Sequence, residues 1–159
     1  MIRITKPTAM SDIPLSLRPP FKANFHPGNV SRKARHTSMR RNELIRNGAY
    51  TDTAAYNSRY KMEDIKTKIR GIYKNKCAYC EQRVEQSHVE HYRPKQTYYW
   101  LAFSWDNLLC ACDDCNQFKS TNFRINGAQA TLTVGLNSMK NINTLSASYD
   151  LAESPDMVN

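Results

Sequence analysis

The clearest periodic stretch of the chain lies between residues 52 and 74. Ala55, Ser58, Met62, Ile65, Ile69 and Ile72 recur at steps of three and four, which keeps them on one face of an α-helix. Thr51 or Asp52 stands where a side chain can cap the first turn. The stripe predicts a core-facing helix, and the opposite face, Arg59, Lys61, Lys66, Lys68 and Arg70, is basic. Upstream, "SRKARHTSMRRNELIRNGAY" predicts a basic helix from about His36 to Asn47, with Gly48 as its stop. Residues 1–30 hold five of the seven prolines, whose fixed φ and missing N–H predict an extended arm.

Downstream, Gln86 to Tyr92 reads as a strand closed by Pro94. "TYYWLAFSW" predicts an aromatic layer over the core, followed by a loop through Asn107. "DDCNQFKS" predicts a short helix with Asp113 and Asp114 as charges at its positive end. "ATLTVGL" is a candidate further strand, and the polar tail after it has no clear period.

Composition narrows the class. At 159 residues and 40% hydrophobic, the chain suits one domain with a modest core. "MIRITKPTAM" lacks the apolar stretch of a secretory signal, and runs such as "WLAF" are far too short to cross a bilayer. The expected setting is cytoplasmic, with reduced thiols and no membrane partner. The net charge of +9 is uneven: Lys+Arg against Asp+Glu is 10 to 2 in residues 1–50, 10 to 6 in 51–100, and 3 to 6 in 101–159. A basic front half fits a polyanion such as nucleic acid, or the face of an acidic protein.

Four of the five cysteines fall in two C-x-x-C pairs, Cys77/Cys80 and Cys112/Cys115. Such a turn presents two sulfurs to one tetrahedral ion, and two of them complete a closed structural zinc site. The 31 residues between the pairs exceed a simple zinc ribbon, so something is inserted. Cys110 is left over as a buried thiol. With zinc saturated by sulfur, His88 and His91 are free for other work. On a strand they lie on opposite faces, but the break at "EHYRP" allows side chains there to turn toward a common site. His26 and His36 lie outside this pattern and are expected at the surface.

"CAYC", "VEHYRPK", "WDNLL" and "CDDCNQFK", in that order over about residues 77–120, resemble an HNH nuclease of the zinc-knuckle, ββα-metal type. The opening "MIRITKP" and the wording "VEHYRPK…WLAFSWDNLLCAC" are most similar to the PtuB-like HNH subunits of Septu-type and retron-associated antiphage systems. The resemblance implies an α+β fold. An arm over 1–35 and a helical segment over 36–75 would precede an HNH core over 76–125, with an extension over 126–159. It implies His91 as general base, Glu90 and Asn116 as ligands of a catalytic Mg²⁺ or similar cation, and Asn107 as the residue that holds the loop and orients the histidine. Cys77, Cys80, Cys112 and Cys115 would hold Zn²⁺, while Arg93, Lys95 and Lys119 would meet phosphate. The implied partners are nucleic acid (DNA, or RNA such as tRNA), a PtuA-like ATPase docked in part by residues 1–50, and in retron-associated systems a reverse transcriptase and its msDNA.

The chemistry agrees: phosphodiester hydrolysis needs a base near neutrality and positive charge at the phosphate. A non-catalytic zinc module that binds nucleic acid would explain the knuckles and charge, and an adaptor the proline-rich arm. Neither uses Glu90, His91, Asn107 and Asn116 together.

Overall fold

A computed structural model describes residues 1, 4–19, 32–133 and 141–156. The helices are α1 (Arg32–Asn47), α2 (Ala54–Asn57), α3 (Glu63–Ile72), α4 (Asp113–Lys119), α5 (Leu145–Ser148) and α6 (Asp150–Glu153). The strands β1 (His88–His91) and β2 (Leu108–Ala111) form an antiparallel pair, with His88 opposite Ala111 and His91 opposite Leu108. This is the expected α+β arrangement: two short strands, a following helix, and a helical segment ahead of them.

The helix expected over 52–74 is broken in two. Its front half is unpacked: Ala55 and Ser58 are exposed, while Tyr60, Ile65, Ile69 and Tyr73 are buried. Polar residues compete with the helix at the break. Asn57 accepts from the Tyr50 hydroxyl and donates to Asp52, and Met62 sits in extended backbone at the start of α3. The break turns Tyr60 inward, which an unbroken helix would not do. α1 begins by Arg32, ahead of the expected His36, and Gly48 ends it at φ +67°, a left-handed conformation that glycine adopts without steric cost.

Two segments that read as peripheral join the core. Within the arm, Ile13 and Leu17 are buried, Lys6 Nζ donates to the Trp105 carbonyl, and Ser16 bonds Asp64 at the start of α3. The described part of the arm therefore packs onto the body. The polar tail packs as well: Ile142 and Leu145 are buried with Tyr98, Trp100 and Leu101. Asn143 ties three regions together by accepting from the Trp105 N–H and donating to the Leu17 carbonyl. At Gly127 the chain passes so close to α6 that a Cβ would lie 1.9 Å from the Ala152 oxygen.

β2 is buried at every position, because α3 covers it and the aromatic run "YWLAFSW" packs beside it. A four-residue apolar run buried on both faces carries no alternation, which is why it did not read as a strand. Of "ATLTVGL", residues 130–133 form no strand and the rest lies outside the described residues, as does His26. His36 is exposed and Cys110 is buried, as expected. Among the described residues no helix is long and apolar enough to cross a membrane.

Candidate active site

The two knuckles close on one another. The Sγ atoms of Cys77, Cys80, Cys112 and Cys115 all lie within 4.8 Å of each other, and Cys80 Sγ is 3.9 Å from Cys112 Sγ. Zn–S bonds of about 2.3 Å in a tetrahedron set sulfurs roughly 3.8 Å apart, so this donor set fits zinc. Backbone N–H groups support the sulfurs: Tyr79 N donates to Cys77 Sγ, and Cys115 N donates to Cys112 Sγ, which thereby caps α4. Burial opposes ionisation of Cys77, yet the N–H groups of Cys112, Cys80 and Tyr79 outweigh it and bring the thiol down to about 7. Burial pushes Cys112 and Cys115 up, and a dication among the four favours the thiolates instead. By position, β1 and β2 fill the space between the knuckles.

At the end of β1, Glu90 and His91 are held tightly. His91 is 4% exposed, and its Nε2 lies 2.9 Å from the Ala102 carbonyl. A carbonyl only accepts, so Nε2 carries the proton and Nδ1 is left as the ring's acceptor. Burial holds the imidazole down to about 3, so it is neutral throughout the physiological range. Tyr60 packs its ring edge-on against His91 at 4.4 Å between centroids. Glu90 Oε1 accepts from the His91 N–H at 2.8 Å and lies 3.7 Å from Lys119 Nζ. Burial raises the Glu90 carboxyl, an effect that Lys119 opposes. Burial likewise lowers Lys119, and Glu90 opposes that.

A cleft of about 420 Å³ opens over these groups, lined among others by Glu90, His91, Asn116, Lys95, His88 and Tyr60. A carboxylate and an amide beside a neutral imidazole are the oxygen donors that a hard divalent cation takes. Glu90 and Asn116 bring such oxygens to the cleft lining, and Lys119 stands as a cation beside the same carboxylate.

Asn107 is fully buried behind the cleft. Its Oδ1 accepts from the Arg93 N–H and the Ser146 hydroxyl, and its Nδ2 donates to the carbonyls of Arg93 and Leu101. It clamps the backbone that follows His91, and none of these four bonds is to the ring. Lys95 reaches the cleft wall, where Asp52, Asn57 and Tyr60 hold its ammonium.

Arg93 and Lys119 depart from the phosphate role expected of them. Arg93 is 0% exposed; it donates to Glu153, Asp150 and Ser146 at 2.7, 2.9 and 2.8 Å and lies against four aromatic rings. It fastens the tail helices to the core. Lys119 is turned inward onto Glu90. Asp113 stands at the start of α4, 3.4 Å from His88 Nε2, consistent with a helix-end charge. Sequence reasoning missed Tyr60, which sits on a turn with no motif, and the Ala102 carbonyl, a backbone group that no side-chain pattern reports.

Antiparallel strands, a following helix, four converging cysteines and a buried histidine at the strand end make up the site. Residues 77–122 match the family model described as HNH endonuclease. Septu protein PtuB of Bacillus mycoides (strain KBAB4) is 35% identical to the chain over 80 residues, covering 40% of this chain and 27% of that protein. Septu protein PtuB of Bacillus thuringiensis is 33% identical over 100 residues, covering 60% of this chain and 36% of that protein. The chain thus spans about a third of the length of these curated relatives. Residues 77–122 are thus similar to an HNH endonuclease domain, and the chain to part of these PtuB proteins. No solved structure matches the chain.

Proposed function

We propose that the chain is a metal-dependent endonuclease that hydrolyses phosphodiester bonds of nucleic acid, DNA in preference to RNA, as the effector subunit of a Septu-type antiphage complex. The observation that carries this reading is the His91 ring, fixed in one tautomer by the Ala102 carbonyl so that Nδ1 is its acceptor, in one cleft with Glu90 and Asn116. His91 Nδ1 takes a proton from the water that attacks phosphorus. A divalent ion on Glu90 and Asn116, Mg²⁺ or similar, would supply positive charge to the phosphate and the leaving oxygen. Asn107 holds the backbone after His91 so that the base keeps its position. Lys119 favours the ionised form of Glu90 against its burial. Zinc on the four cysteines joins the knuckles and so fixes β1 against α4, the two elements that carry Glu90 and Asn116. Products carry 5′-phosphate and 3′-hydroxyl ends, since the 3′ oxygen leaves.

The likeness to proteins named Septu protein PtuB supports a PtuA-like ATPase as partner. Residues 1–50, whose described part packs onto the body, would form part of the docking surface for that partner. A retron reverse transcriptase with its msDNA is the further partner for retron-associated relatives. Affinity purification of the tagged chain from its native host tests these partners. An ATPase in the eluate, with divalent-dependent cleavage by the complex, is the expected result. Nucleic-acid binding without cleavage under any divalent metal would replace this reading with the non-catalytic zinc module.

A further inference from the structure

The cleft has a wall from outside the family match. Residues 77–122 supply Glu90, His91, Lys95 and Asn116, but Tyr60, Lys61 and Lys66 also line it, from the turn before α3 and from α3 itself. Tyr60 fixes that turn: it is buried, packs against the His91 ring, and its hydroxyl takes a hydrogen bond from Lys95 Nζ at 3.3 Å. Lys61 and Lys66 follow from this seat. Neither has an ion-pair partner among the described residues, whereas Lys95 is shared with Asp52 and Lys119 with Glu90. The cleft lining thus carries three lysines against one carboxylate, Glu90. Two ammonium groups outside any close ion pair, with Lys61 lying over the Tyr60 ring and in the field of Asp52, stand beside groups suited to phosphodiester chemistry and can take a second anion on the same strand.

We propose that Lys61 and Lys66 form a phosphate track that binds the nucleic-acid backbone beside the scissile bond. The proposal rests on the nuclease reading for what the cleft holds. A contact to phosphate releases condensed counterions and so leaves a signature in the salt dependence of binding, about 0.9 in slope per contact on duplex DNA and about 0.7 on a single strand.

The test is fluorescence anisotropy of labelled duplex DNA, single-stranded DNA and RNA with the full chain and its co-purifying partner. It is run without added divalent cation, across a KCl series. Lys61→Gln/Lys66→Gln should weaken binding and lower the slope of log Kd against log[KCl] by about 1.8 on duplex DNA and about 1.4 on single strands, with zinc content and melting unchanged. Lys33→Gln/Arg35→Gln removes equal charge at two exposed positions of α1 that do not line the cleft, and should keep more of the slope. An unchanged slope in the Lys61/Lys66 variant overturns the track. So does an equal fall in both variants, which would mean charge without place. Loss of partner binding with an unchanged nucleic-acid slope also overturns it, and makes these lysines a protein-docking face. Cleavage is scored separately: a wild-type chain that binds with the lysine-dependent slope yet never cleaves leaves the track standing and removes the nuclease reading.

Discussion

Replacing Arg93 with alanine should destabilise the fold by about 3–5 kcal/mol, the usual cost of removing one partner from a buried ion pair. The side chain is wholly buried, and it satisfies Glu153, which is also 0% exposed, together with Asp150 and Ser146. Removing the guanidinium leaves Glu153 with the Tyr98 hydroxyl and the Ala130 N–H as its remaining donors. Adding three charge-assisted bonds at about 1.5–3 kcal/mol each would overshoot, because they share one cation and the carboxylates regain some water when α5 and α6 loosen. Arg93→Lys keeps the charge but has no planar fork to span three acceptors, so it should fall between wild type and alanine. The assay is urea unfolding of zinc-loaded protein, compared through midpoint and slope. A domain holds only about 5–15 kcal/mol in total, so the shift would be large. Unfolding of Arg93→Ala within about 0.5 kcal/mol of wild type, with a shallower salt dependence of nucleic-acid binding, would refute this and return Arg93 to a phosphate.

Any of Cys77, Cys80, Cys112 or Cys115 changed to serine should lose the bound zinc and unfold the core, read by metal analysis and circular dichroism; a folded, active, zinc-free protein would contradict it. Burial lowers His91 from 6.5 to about 3, so below pH 6.5 the unfolded chain takes up a proton that the native chain refuses. Stability should therefore fall as pH drops, by about 2 kcal/mol between pH 7 and 5, and His91→Gln should flatten that slope. Glu90→Ala or Asn116→Ala should shift cleavage to higher Mg²⁺ concentration and recover in part there; equal loss at all Mg²⁺ concentrations would remove them from the ion.

The knuckles and Glu90–His91 were legible because their chemistry depends on residue type at short spacing. Asn107 was legible only through the resemblance, and its clamp on Arg93 appears once the loop closes. Arg93 misled because an arginine beside a candidate base reads as a phosphate ligand. Its true partners lie 53–60 residues away in a tail whose isolated pattern is polar. Lys119 misled by register: one turn beyond Asn116 it points back at Glu90 instead of outward. The break before α3 was hidden because Ala55 and Ser58 continue the apolar period while Asn57 and Tyr60 override it through side-chain contacts that no periodicity contains.

His91 sits at the centre of the account, and its burial sets a condition on the test. Deleting a ring that bonds Ala102 and packs on Tyr60 costs some stability, so His91→Ala and His91→Gln are both compared with wild type after their zinc content and melting are verified. The measurement is a single time course of Mg²⁺-dependent cleavage by the purified complex on DNA and RNA. Folded, zinc-loaded His91 variants should cleave about 10²–10⁴-fold more slowly at every Mg²⁺ concentration while still binding nucleic acid. Wild-type rates in those variants would contradict His91 as the base and the nuclease mechanism built on it.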